Sequence, residues 1–278
     1  MFEDTCIICN NSHFTLLTQK GEWSVYRCNR CGLGVTEPLL EERALVDLYN
    51  QTYFLSHYDS GYGKHTPEFK KRIRQEKHRI TFIRSSRKKG RLLDIGCGKG
   101  YFLYMASRSG YRAEGLDITD INESYIENEL GIPMSVQAAS SMNYPENTFD
   151  IITMWHALEH HRDPVSFLEK CLQWLKQDGD LIIEVPNHEC IDAKKQGPDW
   201  PNWDLPFHLY HFTPKSLAVL TRKSGLKIIR KKTYHSEYIK GALGNYRMLK
   251  PFSRLIARLY TGGSLAVLCR KTFRKAKV

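Results

Sequence analysis

The chain has 278 residues, of which 41% are hydrophobic and 26% are charged, so it can bury one sizeable core and still carry a small additional module. Its first residues lack the basic and apolar pattern of a signal peptide, and no window approaches the roughly 20 uncharged apolar residues that span a bilayer. These features argue against a secreted or membrane-spanning chain and favour a cytoplasmic one. The net charge of +11 permits a polyanionic partner or an ordinary basic surface, and we expect the latter.

Two cysteine pairs lie near the start of the chain. Cys6-x-x-Cys9 and Cys28-x-x-Cys31 are separated by 18 residues, and four thiolates in two such pairs are typical of tetrahedral zinc. Aromatic and β-branched residues between the pairs indicate a hairpin. The spacing therefore predicts a zinc ribbon over residues 1–38, with a structural metal, because four protein ligands leave no open coordination position.

The next segment, residues 39–88, is predicted to be a helical connector and lid. Apolar residues at helical spacing indicate a helix over 39–54. Residues 56–66 are rich in Tyr, Gly, His and Ser, which is typical either of a segment that closes over a ligand or of simple loop filler. Residues 67–86 predict a basic amphipathic helix.

A strand, a glycine turn and a helix follow in order. The apolar run at 91–95 leads into Gly96-Cys97-Gly98-Lys99-Gly100, after which residues 101–109 have helical character. Glycines let the backbone approach a ligand closely, and a helix start offers free N–H groups. Dinucleotide sites use Gly-x-Gly-x-x-Gly, whose last glycine would fall at Tyr101, so the spacing disfavours NAD.

With Asp94 at the strand end, this run resembles the first motif of class I S-adenosylmethionine-dependent methyltransferases. In that family an acidic residue and the glycine turn hold the amino acid end of S-adenosylmethionine. The resemblance covers most of the chain, and it implies an α/β fold: a doubly wound, Rossmann-like, seven-stranded methyltransferase sheet over residues 89–278, behind the zinc ribbon. Residues 206–217 resemble bacterial members that carry such a ribbon and often accompany cell-surface sugar or lipid pathways.

The resemblance also implies a set of cofactor-binding residues. Asp117, at the end of the second strand, is expected to accept the ribose hydroxyls. Family members often bind the adenine amine with an Asp after the third strand, but residues 136–141 contain none, so that contact is assigned to Ala139 and Ser140, with Gln137 as an alternative. The complete set implied by the resemblance is Asp94, Gly96, Cys97, Gly98, Gly100, Asp117, Ile118, Ala139, Ser140 and Trp155.

Histidines follow the fourth and fifth strands, and the candidate catalytic residues are His156, His160, His208 and His211. The run His156-Ala-Leu-Glu159-His160 has three interpretations. In the first, Glu159 and His160 cap a helix and hold it in place. In the second, His160, His208 or His211 acts as general base for a hydroxyl acceptor. The run is also similar to the Glu-x-x-Glu-His metal element of ubiquinone-pathway and small-RNA 2′-O-methyltransferases. The inverted zincin signature of peptidases has the same letters, but its position directly after an apolar strand disfavours that reading.

Two later segments each have two interpretations. The stretch at 197–207 is aromatic and rich in proline, so Trp200 and Trp203 either stack on an acceptor ring or cover the sheet. The helical insertion at 238–262 is predicted as a basic amphipathic helix that lies on a membrane, binds a partner or, as we expect, packs on the domain.

Together these features predict an S-adenosylmethionine-dependent methyltransferase with S-adenosylmethionine and structural zinc as cofactors. The expected reaction is O-methylation of a small-molecule, sugar or lipid-linked acceptor. The alternatives are an RNA methyltransferase, which would bind with a steep salt dependence, and a non-catalytic binding protein that keeps the cofactor fold. Peripheral contact with the inner face of a membrane stays open.

Overall fold

The computed structural model of the chain describes residues 5–40, 63–86 and 89–272. The helix predicted at 39–54 and most of the segment at 56–66 lie outside these ranges. A seven-stranded sheet forms the centre of the molecule, in the order β6-β5-β4-β7-β8-β11-β10. The strands of this sheet are β4 (Arg91–Ile95), β5 (Arg112–Asp117), β6 (Met134–Val136), β7 (Phe149–Trp155), β8 (Leu175–Pro186), β10 (Leu226–His235) and β11 (Thr261–Lys271).

Strands β4 to β8 pair in parallel, and β11 runs antiparallel to both of its neighbours. The central strands read as apolar runs because helices cover both faces of the sheet. This arrangement confirms the predicted doubly wound α/β fold. The described helices are α1 (Pro67–Gln75), α2 (Lys77–Ile83), α3 (Tyr101–Arg108), α4 (Pro164–Trp174), α5 (Ile191–Gln196), α6 (Pro214–Lys223), α7 (Glu237–Gly244) and α8 (Ser253–Ala257).

Two apolar clusters, one on each face of this sheet, hold the helices. The first cluster takes side chains from α1, α2 and α3. The second takes side chains from α4 and α6 and also includes Ile8 and Leu33, together with three of the paired cysteines. The N-terminal module therefore shares a continuous core with the main domain.

The N-terminal module has its own sheet, made of β1 (Phe14–Lys20), β2 (Trp23–Cys28), β3 (Gly34–Glu37) and β9 (Tyr210–His211). Its fourth strand comes from the main domain, where His211 pairs with Gly34. A Cβ at Gly34 would lie 2.9 Å from the Cβ of His211, so glycine permits this close approach. The segment predicted as a separate unit over 1–38 is thus completed by a strand some 170 residues later.

Three predicted elements differ from the structure. Strand β8 begins at Leu175 instead of at Asp180, because Leu175 pairs with Phe149 at the start of β7. The helix predicted over 67–86 divides at Glu76 into α1 and α2. The helix predicted over 238–262 is divided between α7, a short 3₁₀ turn and α8, since glycines and Pro251 weaken a continuous helix there.

None of the helices in the described ranges combines the length and the apolar character needed to span a bilayer.

Candidate functional site

The glycine turn predicted at 96–100 leads from the buried end of β4 to the start of α3. Gly96, Gly98 and Gly100 have φ angles of 70°, 52° and 68°, a left-handed conformation that only glycine adopts readily. A Cβ on Gly96 would come within 2.8 Å of the Ala157 Cβ. The turn therefore lies against the segment that follows β7, where the histidine-rich run begins.

Asp94 lies beside this turn in β4. Its side chain is buried, and the hydroxyl of Thr153 donates a hydrogen bond of 2.7 Å to its Oδ1. Burial raises the pKa of Asp94 to about 8, although the Thr153 hydrogen bond and the charge of Arg79 oppose the shift. The buried carboxyl group therefore holds its proton more tightly than that of an exposed aspartate.

Asp117 ends β5, the strand next to β4. Its Oδ2 accepts a hydrogen bond from the backbone N–H of Gly98 at 2.8 Å, and its Oδ1 accepts one from Thr119 at 3.3 Å. Burial raises the pKa of Asp117, while the backbone hydrogen bonds and the charge of His160 oppose that shift. The structure thus brings Asp94, Asp117 and the glycine turn together at one edge of the sheet, which we call the donor edge.

The other residues assigned to the cofactor differ in how far their side chains are buried. The side chain of Cys97 is buried and packs against Gly115, where an added Cβ would lie 2.8 Å from its Sγ. A contact from Cys97 to a ligand would therefore come from its backbone. Ala139 is buried in the core, whereas Ser140 is exposed and its carbonyl accepts a hydrogen bond from Lys170. Ile118 follows Asp117 and is half-buried.

The side chain of Trp155 packs into the core instead of standing at an open edge. Its ring lies edge-on to Phe102, with 5.0 Å between centroids, and the Arg79 guanidinium lies 5.1 Å from its centroid. A contact from Trp155 to a ligand would therefore come from its backbone.

His156 is held between two carboxylates. Its Nδ1 lies 3.3 Å from Glu159 Oε1 and its Nε2 lies 3.1 Å from Glu184 Oε1. Burial lowers the pKa of His156, but the hydrogen bonds to these carboxylates outweigh burial and raise the pKa to about 9. At neutral pH the ring is protonated and both nitrogens are engaged, which argues against His156 as a general base.

Glu184, in the middle of an apolar stretch of β8, is the centre of a buried polar network. Besides His156, it accepts a hydrogen bond of 2.6 Å from the Tyr234 hydroxyl and pairs with Arg79 at 3.4 Å. Burial raises the pKa of Glu184, but Arg79 and His156 hold it well below its ordinary value. Sequence reasoning missed Arg79, Glu184 and Tyr234; the only available signal was a Glu within an otherwise apolar strand.

A second group of side chains converges beside His156. Glu159, His160 and His208 each offer one ligand atom, and these three atoms lie within 4.8 Å of one another. We call this group the Glu-His cluster. Glu159 is fully buried, and within the described residues its Oε2 has no hydrogen-bond partner.

Backbone carbonyls orient both rings of the Glu-His cluster. His160 Nδ1 lies 2.9 Å from the Phe207 carbonyl, and His208 Nδ1 lies 2.9 Å from the Asn202 carbonyl. Since a carbonyl only accepts, each Nδ1 carries the proton, and each Nε2 is the nitrogen that carries the lone pair of the neutral ring. Burial and the charge of His160 hold the pKa of His208 well below its ordinary value, so His208 is neutral.

His211 belongs to the N-terminal sheet and contacts Thr36 there, instead of joining the Glu-His cluster. Its Nε2 lies 2.9 Å from Thr36 Oγ1, and that hydroxyl also donates a hydrogen bond of 2.6 Å to the carbonyl of His208. Because the Thr36 proton goes to the carbonyl, His211 is the donor in the other bond. Its place between the ribbon and the domain argues for a structural role.

Trp200 and Trp203 are also buried. They pack with Val25 of β2 and with Cys190, in a small cluster between the N-terminal sheet and the domain. Of the two interpretations of this loop, the structure favours the one in which the tryptophans cover the sheet.

The four N-terminal cysteines converge as their spacing predicts. All four Sγ atoms lie within 4.8 Å of one another, with Cys6 and Cys31 at 3.6 Å and Cys9 and Cys28 at 3.5 Å. Ligands about 2.3 Å from a tetrahedral zinc stand about 3.8 Å apart, whereas a disulfide would need about 2 Å. The donor set and its size therefore fit zinc.

Comparison with known proteins identifies the domain. A family model described as "Methyltransferase domain" matches residues 63–231, which is more than half of the chain. The match includes the donor edge and the Glu-His cluster.

Individual relatives match over shorter stretches. A ubiquinone biosynthesis O-methyltransferase of Actinobacillus pleuropneumoniae serotype 7 is 30% identical over 108 residues, which cover 35% of this chain and 46% of that protein. Phosphoethanolamine N-methyltransferase 3 of Arabidopsis thaliana is 29% identical over 116 residues, which cover 40% of this chain and 23% of that protein. The chain thus spans less than half the length of these two relatives.

The crystal structure of Burkholderia thailandensis 1,6-didemethyltoxoflavin-N1-methyltransferase, bound to its substrate and S-adenosylhomocysteine, shares the fold. It superposes with a TM-score of 0.56 at 16% identity, over 93% of this chain and 99% of that one.

Proposed function

Because the chain belongs to the methyltransferase-domain family, we propose that it transfers a methyl group from S-adenosylmethionine to a hydroxyl oxygen of a small-molecule acceptor. The observation that supports this chemistry best is the Glu-His cluster. It places a buried carboxylate and two oriented imidazoles next to the donor edge, where a hydroxyl must lose its proton as it attacks.

The donor edge supplies the binding site for S-adenosylmethionine. Asp117 accepts hydrogen bonds from the backbone N–H groups of Gly98 and Thr119, and its carboxylate oxygens have further lone pairs that would accept the ribose hydroxyls. Asp94, once ionised, provides a negative charge near the charged methionyl end of the cofactor. The left-handed glycines let the backbone approach it closely.

The reaction itself is an in-line displacement. The acceptor oxygen forms a bond to the methyl carbon, the carbon–sulfur bond breaks, and its electron pair stays on sulfur to give S-adenosylhomocysteine. The hydroxyl proton must go to a nearby group. Alignment and proton removal are therefore the main tasks of the protein.

The Glu-His cluster fits a divalent cation. Its two histidines donate from Nδ1 to carbonyls, as metal-ligating histidines commonly do, and Glu159 Oε2 is a buried carboxylate oxygen without a partner among the described residues. A bound cation lowers the pKa of a hydroxyl that it contacts. Glu159, His160 and His208 would hold the ion, and His156 would fix the orientation of Glu159.

Deprotonation by His208 alone is the competing mechanism. The Nε2 of His208 lies 3.9 Å from Glu159 Oε1, so this carboxylate would stabilise the protonated ring. The pKa of His208 is nevertheless held well below its ordinary value. A base with so low a pKa takes a proton poorly at neutral pH, so the cation better explains the cluster.

Binding of Mn²⁺ to the full-length protein tests the cluster, because this hard ion disfavours the thiolate site. We expect electron paramagnetic resonance to show one bound Mn²⁺ per chain. Glu159→Gln should lower the affinity for Mn²⁺ by about 100-fold, because a buried ligand is lost. S-Adenosylmethionine binding should persist. Glu169→Gln, an exposed residue in α4, is the matched control. Equal Mn²⁺ affinity in the wild type and Glu159→Gln would contradict the cation site.

The acceptor class is tested with radiolabelled S-adenosylmethionine and matched pairs of hydroxyl and amine acceptors, including phenols, sugars and glycerol derivatives. We expect label only in ethers of the hydroxyl compounds. Transfer only to amines, or only to RNA with a steep salt dependence, would contradict the proposal.

The N-terminal module is proposed to hold a structural zinc ion on Cys6, Cys9, Cys28 and Cys31. The convergence of the four thiols supports it. The full-length protein should contain one zinc per chain by elemental analysis. Its role would be to stabilise the sheet to which β9 adds.

A further inference from the structure

Residues 238–260, which we call the insertion surface, expose an unusual amount of apolar side chain. Of the thirteen large apolar residues that are exposed in the described part of the chain, eight lie in this segment. The most exposed are Met248 at 87% and Leu259 at 83%. The full set is Tyr238, Tyr246, Met248, Leu249, Phe252, Leu255, Leu259 and Tyr260.

The insertion surface is also strongly basic. Arg247, Lys250, Arg254 and Arg258 are exposed and alternate with the apolar side chains. The segment 236–260 contains a single acidic residue, Glu237, which pairs with Lys240 at 2.8 Å and with His235 at 2.8 Å. Within the described ranges, no carboxylate forms an ion pair with any of the four exposed cations.

The backbone of the insertion surface is fixed to the domain. Ser236 donates its N–H to the Ala257 carbonyl at 3.2 Å, and its hydroxyl bonds Asp192. Ser253 and Ala257 of α8 are buried. The segment thus presents its apolar side chains outward while a few small residues hold it in place.

Both ends of the insertion surface adjoin the candidate site. It begins just after Tyr234, whose hydroxyl bonds Glu184, and it ends just before Ser264, whose Oγ lies 3.3 Å from His156 Nε2. A partner bound here would lie near the polar network of Glu184 and His156.

We propose that the insertion surface binds the face of an anionic lipid bilayer. Large apolar and aromatic side chains interleaved with cations suit this occupant, since the apolar groups enter the boundary of the acyl chains while the cations meet lipid phosphates. The proposal goes beyond the methyl-transfer reaction and does not depend on its acceptor.

Vesicle flotation with the full-length protein tests this surface. We expect binding to vesicles of phosphatidylcholine and phosphatidylglycerol in equal parts, little binding to pure phosphatidylcholine, and weakening by salt. The double variant Leu255→Ser with Leu259→Ser should lower the partition coefficient at least about tenfold, because less apolar surface is buried. Arg254→Gln with Arg258→Gln should lower it by about 30-fold, which corresponds to about one kcal/mol for each charge removed.

Matched controls change the same residue types elsewhere. Leu16→Ser with Leu17→Ser removes exposed leucines from β1, and Lys215→Gln with Arg222→Gln removes exposed cations from α6. Both controls should float like the wild type. Equal binding of all variants, equal binding to neutral vesicles, or no binding would overturn the proposal. Light scattering tests whether the surface instead joins two copies of the chain. A wild-type dimer that is dissociated by the double variant Leu255→Ser with Leu259→Ser would also overturn the proposal.

Discussion

The donor edge and the Glu-His cluster are neighbours that are built in different ways. The donor edge is formed by one strand, its turn and the end of the adjacent strand, within residues 94–117. The cluster takes Glu159 and His160 from the segment after β7 and His208 from the segment before β9, and Thr36 of the N-terminal sheet holds the His208 carbonyl. A local site depends on its own backbone, whereas an assembled one depends on every element that contributes to it.

The largest expected effect is that of a substitution in the proposed zinc site, which should affect the Glu-His cluster and leave the donor edge unchanged. Cys28→Ser should abolish zinc binding and unfold the N-terminal sheet, since structural zinc contributes on the order of 10 kcal/mol. Hydrogen exchange should then rise at 23–37 and at 208–212, while calorimetric affinity for S-adenosylmethionine stays near the wild-type value.

The control for that change is Cys190→Ser, which alters a cysteine outside the four ligands. Cys190 caps α5 through its sulfur, and serine caps helices well. This variant should keep its zinc. If Cys28→Ser left exchange at 208–212 unchanged, the cluster would not depend on the ribbon.

A substitution in the donor edge should weaken cofactor binding and leave the Glu-His cluster unchanged. Asp117→Ala should weaken S-adenosylmethionine binding by about 100-fold, because hydrogen bonds to a charged group are worth about 1.5–3 kcal/mol each. Mn²⁺ binding should persist. Calorimetry measures the first and electron paramagnetic resonance the second, with the exposed Asp120→Ala as control. Undiminished cofactor affinity in Asp117→Ala would remove Asp117 from the ribose site.

Thr36→Val tests the dependence of the cluster on the N-terminal sheet without disturbing zinc. Loss of the hydroxyl removes this hydrogen-bond partner from the His208 carbonyl and the His211 ring, which should cost about 1–3 kcal/mol of stability. Because His208 is then held less firmly, the affinity for Mn²⁺ should fall by about tenfold. Cofactor affinity should not change. Thr15→Val removes a hydroxyl from the exposed part of β1 and should behave as the wild type, and an equal loss in both variants would contradict a positioning role for Thr36.

The last expected effect concerns pH, and per pH unit it is no larger than the tenfold loss expected for Thr36→Val. A cationic cofactor favours ionised Asp94, so below the pKa of about 8 binding must release a proton. The affinity for S-adenosylmethionine should therefore rise with pH by at most about tenfold per unit and level off above 8. In Asp94→Asn this part of the pH dependence should vanish. An affinity that falls between pH 6 and 8 in the wild type would contradict the assignment.

The contrast between the two sites also explains what could be predicted. The positions of Asp94 and Asp117 at neighbouring strand ends could be predicted because strand, turn and strand end are local patterns, whereas their cofactor roles are implied by the resemblance. The contact between His156 and Glu184 could not, because Glu184 lies in another strand, as does Tyr234, which donates a hydrogen bond to Glu184, and no local pattern marks either residue. His208 and His211 are three residues apart, yet one faces the Glu-His cluster and the other faces Thr36.

The sequence by itself determined the succession of the main-sheet strands along the chain, the glycine turn at 96–100 and the convergence of the four cysteines, since each depends on periodicity or on spacing along the chain. The tertiary structure decided which charges meet. It joined β9 to the N-terminal sheet, buried Trp200 and Trp203, and placed His156 between two carboxylates that keep it protonated. The physical reason is that burial and charge pairing act through space, between residues that are far apart in the chain.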